Sequence, residues 1–323
     1  MAVQGVHELR IHLHDRFQVI VKILLAVSGG IDSMYMAERS LRGDLSSSYA
    51  ALGAGDGLEF AVAHCNFGLR GAESDGDEKF VREWCEARGV ELYVRRFETA
   101  DHAAREGISI EMAARDLRYG WFGQLCVHEG FEAVAVAHNA DDNAETLMLN
   151  LLRGCGSRGL RGMSADSGEF PRRVLRPLLA VPRADIRAWM EGEGLSWRED
   201  STNAETVFKR NKLRGKVMPV FAEINPSYLR TLAADMERFA QVDDIAEDYY
   251  RQAATECVLP DGAIDLKKVV TYKHWEYLLF RFTEGRLNAD GLLRLKKSVE
   301  SGRPLGGKIF GPYKVRKGKL RLI

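Results

Sequence analysis

Leu24-Leu25-Ala26-Val27-Ser28-Gly29-Gly30-Ile31-Asp32-Ser33 is the stretch that decides the fold of this 323-residue chain. An apolar run suited to a buried strand passes straight into two glycines and then into the start of a helix. Glycines at such a junction leave successive backbone N–H groups pointing into one concavity, and the following helix adds its positive end. Ser28 and Ser33 add hydroxyl donors, so the loop suits a phosphate or pyrophosphate. No Gly-Lys-Ser/Thr follows at Walker A spacing, and the pattern is not Gly-x-Gly-x-x-Gly, so a nicotinamide dinucleotide site loses support. Asp32 beside an anion nest is unfavourable unless it caps the helix or holds a magnesium ion, and both readings stand.

Outward from this loop, short apolar runs alternate with longer amphipathic segments. The predicted strands are 22–27, 58–65, 91–97, 132–137 and 173–179. Helical patterns cover 32–42, 73–88, 109–129, 142–153 and 183–192. That alternation predicts an α/β fold, a doubly wound parallel sheet with right-handed crossovers and helices on both faces. Residues 44–57 read as a surface insertion rich in Ser and Gly. The pattern changes around Pro219–Pro226. A long helix is predicted over 226–257, then shorter helices over 273–285 and 288–301, and finally a basic hairpin turning at Arg316-Lys317-Gly318-Lys319. These readings divide the chain into residues 1–218 and a smaller, mainly helical domain of residues 219–323.

Composition narrows the class. With 46% hydrophobic residues and 46 Lys+Arg against 46 Asp+Glu, the chain is neither disordered nor strongly charged. Its most apolar stretch, Val19–Val27, is interrupted by Lys22 and is about half the roughly 20 residues a membrane helix needs. The five cysteines (Cys65, Cys85, Cys126, Cys155, Cys257) are scattered without a Cys-x-x-Cys pair. That argues against a disulfide scaffold, a zinc ribbon or an iron–sulfur site. A cytoplasmic protein without a membrane partner is expected. The zero net charge conceals local fields: Val207–Met218 holds five basic residues and no acid, and Gly307–Ile323 holds six and no acid. Such runs point to an anionic partner.

A second constellation, Ala137-His138-Asn139-Ala140-Asp141-Asp142-Asn143-Ala144-Glu145-Thr146, begins at the predicted end of the fourth strand. In doubly wound folds ligands sit beyond the carboxyl ends of the strands, which puts His138 at the right edge. Asp142 and Glu145 share one face of the next helix and suit metal binding or proton removal from an amine. Asp142-x-x-Glu145 also reads as a capping box, and His138 as a plain strand end.

The loop Ser28–Ser33 resembles that of the N-type ATP pyrophosphatases, the PP-loop family. The second constellation resembles the His-x-x-Asp-Asp-x-x-Glu-Thr motif of the tRNA(Ile)-lysidine synthetases within it. Further segments resembling that family follow in order: His64-Cys65-Asn66-Phe67-Gly68-Leu69-Arg70, with Phe67 where many members have His; Ala114-Arg115-Asp116-Leu117-Arg118-Tyr119; Leu152-Arg153-Gly154-Cys155-Gly156; and Arg198-Glu199-Asp200-Ser201-Thr202-Asn203 with Arg210-Asn211-Lys212-Leu213-Arg214. Together they cover about residues 22–220.

The resemblance implies an adenine nucleotide alpha hydrolase-like, PP-loop fold. It implies ATP binding by Ser28, Gly29, Gly30, Ile31, Asp32 and Ser33, with Asp32 a candidate Mg2+ ligand. It implies a reaction centre of Arg115, His138, Asp142, Glu145, Asn203 and Arg214. The implied partners are a tRNA(Ile) with a CAU anticodon, L-lysine and ATP, with a homodimer left open. The implied reaction adenylates a cytidine and then attaches lysine at C2. The competing readings are a tRNA-thiolating relative, which the scattered cysteines oppose, and a nucleotide- or RNA-binding module without turnover.

Overall fold

The structure, a computed structural model, describes residues 21–45, 48–49, 58–171, 173–199, 208–302 and 304–323. Most of the predicted 44–57 insertion, and Asn203, lie outside the described residues. The chain divides into two compact units. One takes the residues up to Cys155 together with Gly162–Met236, and the other takes Gly156–Arg161 with Glu237–Ile323.

The first unit is built on strands β1 (Val21–Ala26), β2 (Leu58–Asn66), β3 (Leu92–Arg96), β4 (Ala133–Ala135), β5 (Asp166–Ser167) and β6 (Val174–Leu175). Their order in the sheet is β3-β2-β1-β4-β6-β5, parallel throughout except for the antiparallel edge strand β5. Between them run α1 (Ile31–Leu41), α2 (Ala72–Arg88), α3 (Thr99–Glu106), α4 (Ile110–Glu129) and α5 (Ala140–Arg153). After β6 come α7 (Arg183–Gly192), α8 (Phe208–Lys212), a π-helical turn (Leu213–Val217) and α9 (Met218–Ile224). The short α6 (Ser157–Leu160) belongs to the second unit.

The central strand β1 is apolar on both faces because both are covered. Ile23 and Leu25 pack with Met34, Val81, Trp84, Ile186 and Met190 from α1, α2 and α7. Leu24, pointing the other way, packs with Ala61, Ala63, Val134 and the α4 residues Trp121, Phe122 and Cys126. From β1 the chain builds outward to β3, returns across the sheet to β4, and builds toward the opposite edge. The strand order therefore reverses between β1 and β4. A crevice opens there beyond their carboxyl ends. The Ser28–Ser33 loop leaves β1 at that point, and His138 follows β4.

The second unit takes the far part of α10 (Tyr228–Cys257), then β7 (Ile264–Asp265), α11 (Leu266–Val269), α12 (Trp275–Phe282), α13 (Ala289–Glu300), β8 (Ile309–Phe310), β9 (Tyr313–Arg316) and β10 (Lys319–Leu322). The predicted basic hairpin is present. Lys317 and Gly318 both have positive φ, of 50° and 75°, as a two-residue hairpin turn requires. It is the middle of an antiparallel sheet ordered β7-β10-β9-β8, whose two outer strands are too short to show in a sequence pattern. Tyr313, Val315 and Leu320 face a core with Leu278, Leu279, Leu287 and Leu295.

Where the chain re-enters the first unit, Gly162 has φ +66°. A Cβ there would collide with the Asn143 side-chain oxygen and the Met236 sulfur. Asn143 Oδ1 accepts the Met163 N–H at 2.7 Å, so that oxygen is not free to withdraw. Gly162→Ala is expected to lower the unfolding free energy by about 1–3 kcal/mol, the usual range for overpacking. Urea denaturation checks this, and a wild-type midpoint would contradict the packing described.

Candidate active site

The loop after β1 is stitched by its own side chains. Ser33 Oγ donates to Gly30 O at 2.9 Å and accepts from Ser28 N at 3.2 Å, while Ser28 Oγ accepts from Gly30 N at 3.3 Å. Ile31 is buried in the core and anchors the turn. Gly29 has φ +95°. Its nearest neighbours would lie at 3.6 Å or more from an added Cβ, so conformation rather than space demands glycine. Its carbonyl accepts the Arg198 N–H at 2.9 Å. Gly30 precedes α1 in extended conformation without a side-chain cap, which leaves the helix's N-terminal N–H groups available to an anion.

Asp32 does not cap α1. It lies in the helix's first turn, accepting from Asn139 Nδ2 at 3.1 Å, with Arg183 Nη2 at 3.8 Å. Burial pushes its carboxyl above the usual range. Arg183 opposes this and the nearby Asp142 reinforces it. Asn139, fully buried, starts α5 as half of a reciprocal cap: its Oδ1 accepts from Asp142 N at 3.0 Å and its N–H donates to Asp142 Oδ2 at 3.3 Å. The capping box therefore pairs Asn139 with Asp142, not Asp142 with Glu145. Asp141 turns elsewhere and accepts the Arg183 N–H at 2.8 Å, at the start of α7.

Glu145 is 1% exposed and is gripped by Arg214, whose Nε and Nη2 donate to its two oxygens at 2.7 and 3.1 Å. Arg214 Nη2 also reaches Asp142 Oδ1 at 3.2 Å, and Arg210 Nε lies 3.9 Å from Glu145. Burial raises the Glu145 pKa and Arg214 pulls it back. Both arginines come from the predicted basic run, Arg214 within a π-helical turn of the kind often found at functional sites. His138 accepts from Arg176 Nε at 3.3 Å through Nδ1. Burial pushes its pKa down to about 4, against a countervailing pull from Asp142.

A cleft of about 690 Å³ is lined among others by Ser28, Gly30, Ile31, Asp32, Asp142 and Arg214, with Glu145 buried behind Arg214 and outside the lining. Its other guanidiniums rest against carboxylates: Arg70 Nη2 and Arg198 Nε on Asp77 at 2.6 and 2.9 Å, and Arg187 Nη2 on Glu199 at 3.7 Å. Gly76 in α2 makes room for Arg198, whose Nη2 would lie 2.9 Å from an added Cβ. A second pocket of about 370 Å³ shares Ser28, Gly30 and Asp32. It adds Ala63, Phe67, Arg118, Tyr119, Phe122 and His138, a setting suited to a planar base.

Comparison with known proteins agrees with this architecture. A model of the PP-loop domain family matches residues 7–221. The chain belongs to the PP-loop family. A tRNA(Ile)-lysidine synthase from Parabacteroides distasonis is 36% identical over 278 residues, covering 85% of this chain and 59% of that protein. One from Porphyromonas gingivalis is 43% identical over 222 residues, 68% of this chain and 45% of that protein. One from Chlorobaculum tepidum is 42% identical over 201 residues, 62% and 57% respectively. The chain spans about half the length of the curated relatives it matches. Among solved structures, the U34-tRNA thiolase NcsA from Methanococcus maripaludis aligns with a TM-score of 0.54 at 19% identity. That alignment covers 68% of this chain and 72% of the other, a likeness of fold.

Within this PP-loop unit the structure brings together Ser28–Ser33, His138, Asp142, Glu145 and Arg214. Arg115 stands apart from the lining of both pockets: it is exposed on α4 with its guanidinium 4.9 Å from the Tyr119 ring centre, while Arg118 and Tyr119 of the same helix reach the second pocket. Asn139, Arg70, Arg176, Arg183 and Arg198 were not singled out by sequence. Asn139, Arg70 and Arg198 lay inside or at the edge of family-like motifs, and Arg176 and Arg183 lay in the arginine-rich stretch 153–187, without any being given a role. Trp197 lines the cleft beneath Arg187, 5.6 Å from its ring centre.

Arg214→Ala would leave the Glu145 carboxylate buried without its main partner. It is expected to destabilise the protein at pH 7 by about 1–3 kcal/mol. Burial raises this carboxyl's pKa and loss of Arg214 raises it further, so the penalty is full above the variant's value and vanishes as pH falls below the wild type's own raised value. Denaturation curves of variant and wild type should converge toward pH 4, and a pH-independent gap would count against the pairing.

Proposed function

We propose that this protein ligates lysine to C2 of the wobble cytidine of a tRNA(Ile) with a CAU anticodon, consuming ATP and releasing pyrophosphate and AMP. The observation that carries the reading is the convergence on one cleft of an uncapped phosphate loop and the Asp142–Arg214 pair, which is backed by the buried Glu145. The relatives named tRNA(Ile)-lysidine synthase support it.

In this reading the loop N–H groups and the α1 terminus hold the ATP phosphates, with Arg183 and Arg198 turning from their carboxylates toward them. Arginine suits that task because its planar fork pairs with phosphate oxygens. The aromatic pocket takes a base. The cytidine O2 attacks the α-phosphorus, the α–β bond breaks and pyrophosphate leaves. The lysine ε-nitrogen then attacks C2, and the oxygen departs with AMP. Asp142, which lines the cleft, faces the ammonium and draws off its proton, since only the free amine is a nucleophile, while the buried Glu145 holds Arg214 in place. Arg115 and Asn203 belong to the same proposed centre by motif alone.

Asp32 and Asp142 fit a Mg2+ ion bound through one or two carboxylates and completed by phosphate oxygens. Among the described residues no group of three or more His, Cys, Asp and Glu forms an all-protein metal site. Such an ion would neutralise phosphate charge.

The second unit offers a surface for tRNA. Lys314 lies opposite Arg321 and Arg316 opposite Lys319 on neighbouring strands. Like charges directly opposed destabilise a sheet, so this face suits a polyanion. No described helix is long and apolar enough to cross a membrane, and a tRNA substrate places the protein in the cytoplasm.

The direct test is AMP release from ATP with unmodified tRNA(Ile), with and without lysine, beside a tRNA differing only at the wobble base. Release requiring both lysine and the cytidine is expected. Release indifferent to lysine would overturn the assigned nucleophile. Asp142→Ala should reduce lysine-dependent release by at least 100-fold while the protein stays folded. In filter binding, the double variant Lys314→Ala/Arg316→Ala should lower the slope of log Kd against log salt by about 1.5–2, as expected when two phosphate contacts are lost.

A further inference from the structure

The His138 imidazole has one hydrogen-bonding partner among the described residues, and it is a cation. Arg176 Nε donates to Nδ1 at 3.3 Å. A guanidinium cannot accept, so Nδ1 must present its lone pair, and the ring's single proton must sit on Nε2. Arg176 is itself fixed: Nη1 donates to Ser164 O at 2.7 Å and to Ser167 Oγ at 2.8 Å. Those two residues belong to the edge hairpin of β5 and β6. Arg173 closes that hairpin with two bonds to Asp166 at 3.1 and 2.6 Å.

The charges around the ring favour the same state. Arg118 of α4, Arg176 after β6 and Arg210 of α8 all disfavour an imidazolium. Asp142 of α5 favours one but is already engaged by Asn139 N through Oδ2 and by Arg214 through Oδ1. Burial acts in the same direction as the arginines. His138 lines the pocket with Phe67, Tyr119 and Phe122.

We infer that Arg176 is a positioning residue that locks His138 as the neutral Nε2–H tautomer, so that His138 serves the bound base or phosphate as a hydrogen-bond donor and not as the base that deprotonates the amine. This deepens the ligase reading and rests on it for the identity of the ligand. The tautomer itself does not depend on that reading. A neutral imidazole held as a donor stabilises charge that develops on an oxygen, which an imidazole poised to take a proton cannot do equally well.

Histidine-selective 15N labelling of the full chain, with long-range proton–nitrogen correlation, reads the tautomer directly. His138 is one of eight histidines and is assigned through His138→Gln. The wild type should show Nε2–H, with no imidazolium between pH 6 and 8. Arg176→Ala should give a mixture of Nδ1–H and Nε2–H tautomers. Ser167→Ala, which loosens Arg176 without touching the ring, should shift the signal in the same direction by less. Lysine-dependent AMP release should fall roughly 10–100-fold in Arg176→Ala, as kcat more than KM for ATP, and recover partly in Arg176→Lys. A wild-type Nδ1–H signal, or a His138 spectrum unchanged in Arg176→Ala, would overturn the inference. An intact tautomer lock in a protein that releases no AMP would instead refute the ligase reading alone.

Discussion

One buried amide ties together the two helix starts that flank the cleft. Asn139 joins the helix that follows the phosphate loop to the helix that carries the acidic residues. Its Nδ2 reaches Asp32 and its Oδ1 starts α5 by accepting from Asp142. Buried polar groups are costly unless satisfied, and an unmade bond here would leave a carboxylate or an amide desolvated at about 1–3 kcal/mol each. The separation of Asp32 from Asp142, and therefore the distance between the loop after β1 and the acidic start of α5, is set by this side chain. Asp142 is held at both oxygens, one by its own helix start and the other by Arg214. Little freedom remains for the carboxylate, which is held in one orientation toward the cleft.

Much of the frame was legible in the sequence, because periodicity and turn chemistry are local. The run into Ser28-Gly29-Gly30 marked β1 and α1. Ser109 marked the start of α4 and accepts from Met112 N at 3.2 Å, and Lys317-Gly318 marked the hairpin turn. The weaker points are equally physical. The helix Thr99–Glu106 is too short for a clear apolar stripe. Strands of two residues, such as Asp166–Ser167, leave no alternation to read. The site was legible where motif residues sit on one helix, as with Asp142 and Glu145. It was illegible where residues far apart in sequence meet across the sheet. Arg183 faces Asp32 and Arg198 touches Asp77, and although both arginines sit in stretches the sequence marks, nothing local names those partners. Asp142 also shows that capping a helix and facing the cleft need not be rival readings, since one oxygen accepts from Asn139 N and the other from Arg214.

The balanced composition has a structural counterpart. The guanidiniums of the cleft lie against carboxylates: Arg70 and Arg198 share Asp77, Arg183 faces Asp32, Arg187 faces Glu199, and Arg214 holds Asp142 and Glu145. Ion pairs in a partly exposed setting are each worth little, so an incoming polyphosphate exchanges one set of partners for another at small cost. The cleft keeps its cations extended without gathering an uncompensated positive charge.

Asp141 and Asp142 are neighbours on the first turn of α5, yet they answer to different parts of the molecule. Asp141 receives the backbone N–H that begins α7, while Asp142 faces the cleft. A small rotation of that turn would therefore displace the start of α7, with Arg183 on it, at the same moment as it displaced the acid. The two walls of the cleft are geared through adjacent residues, and neither can be adjusted by evolution or by design without moving the other.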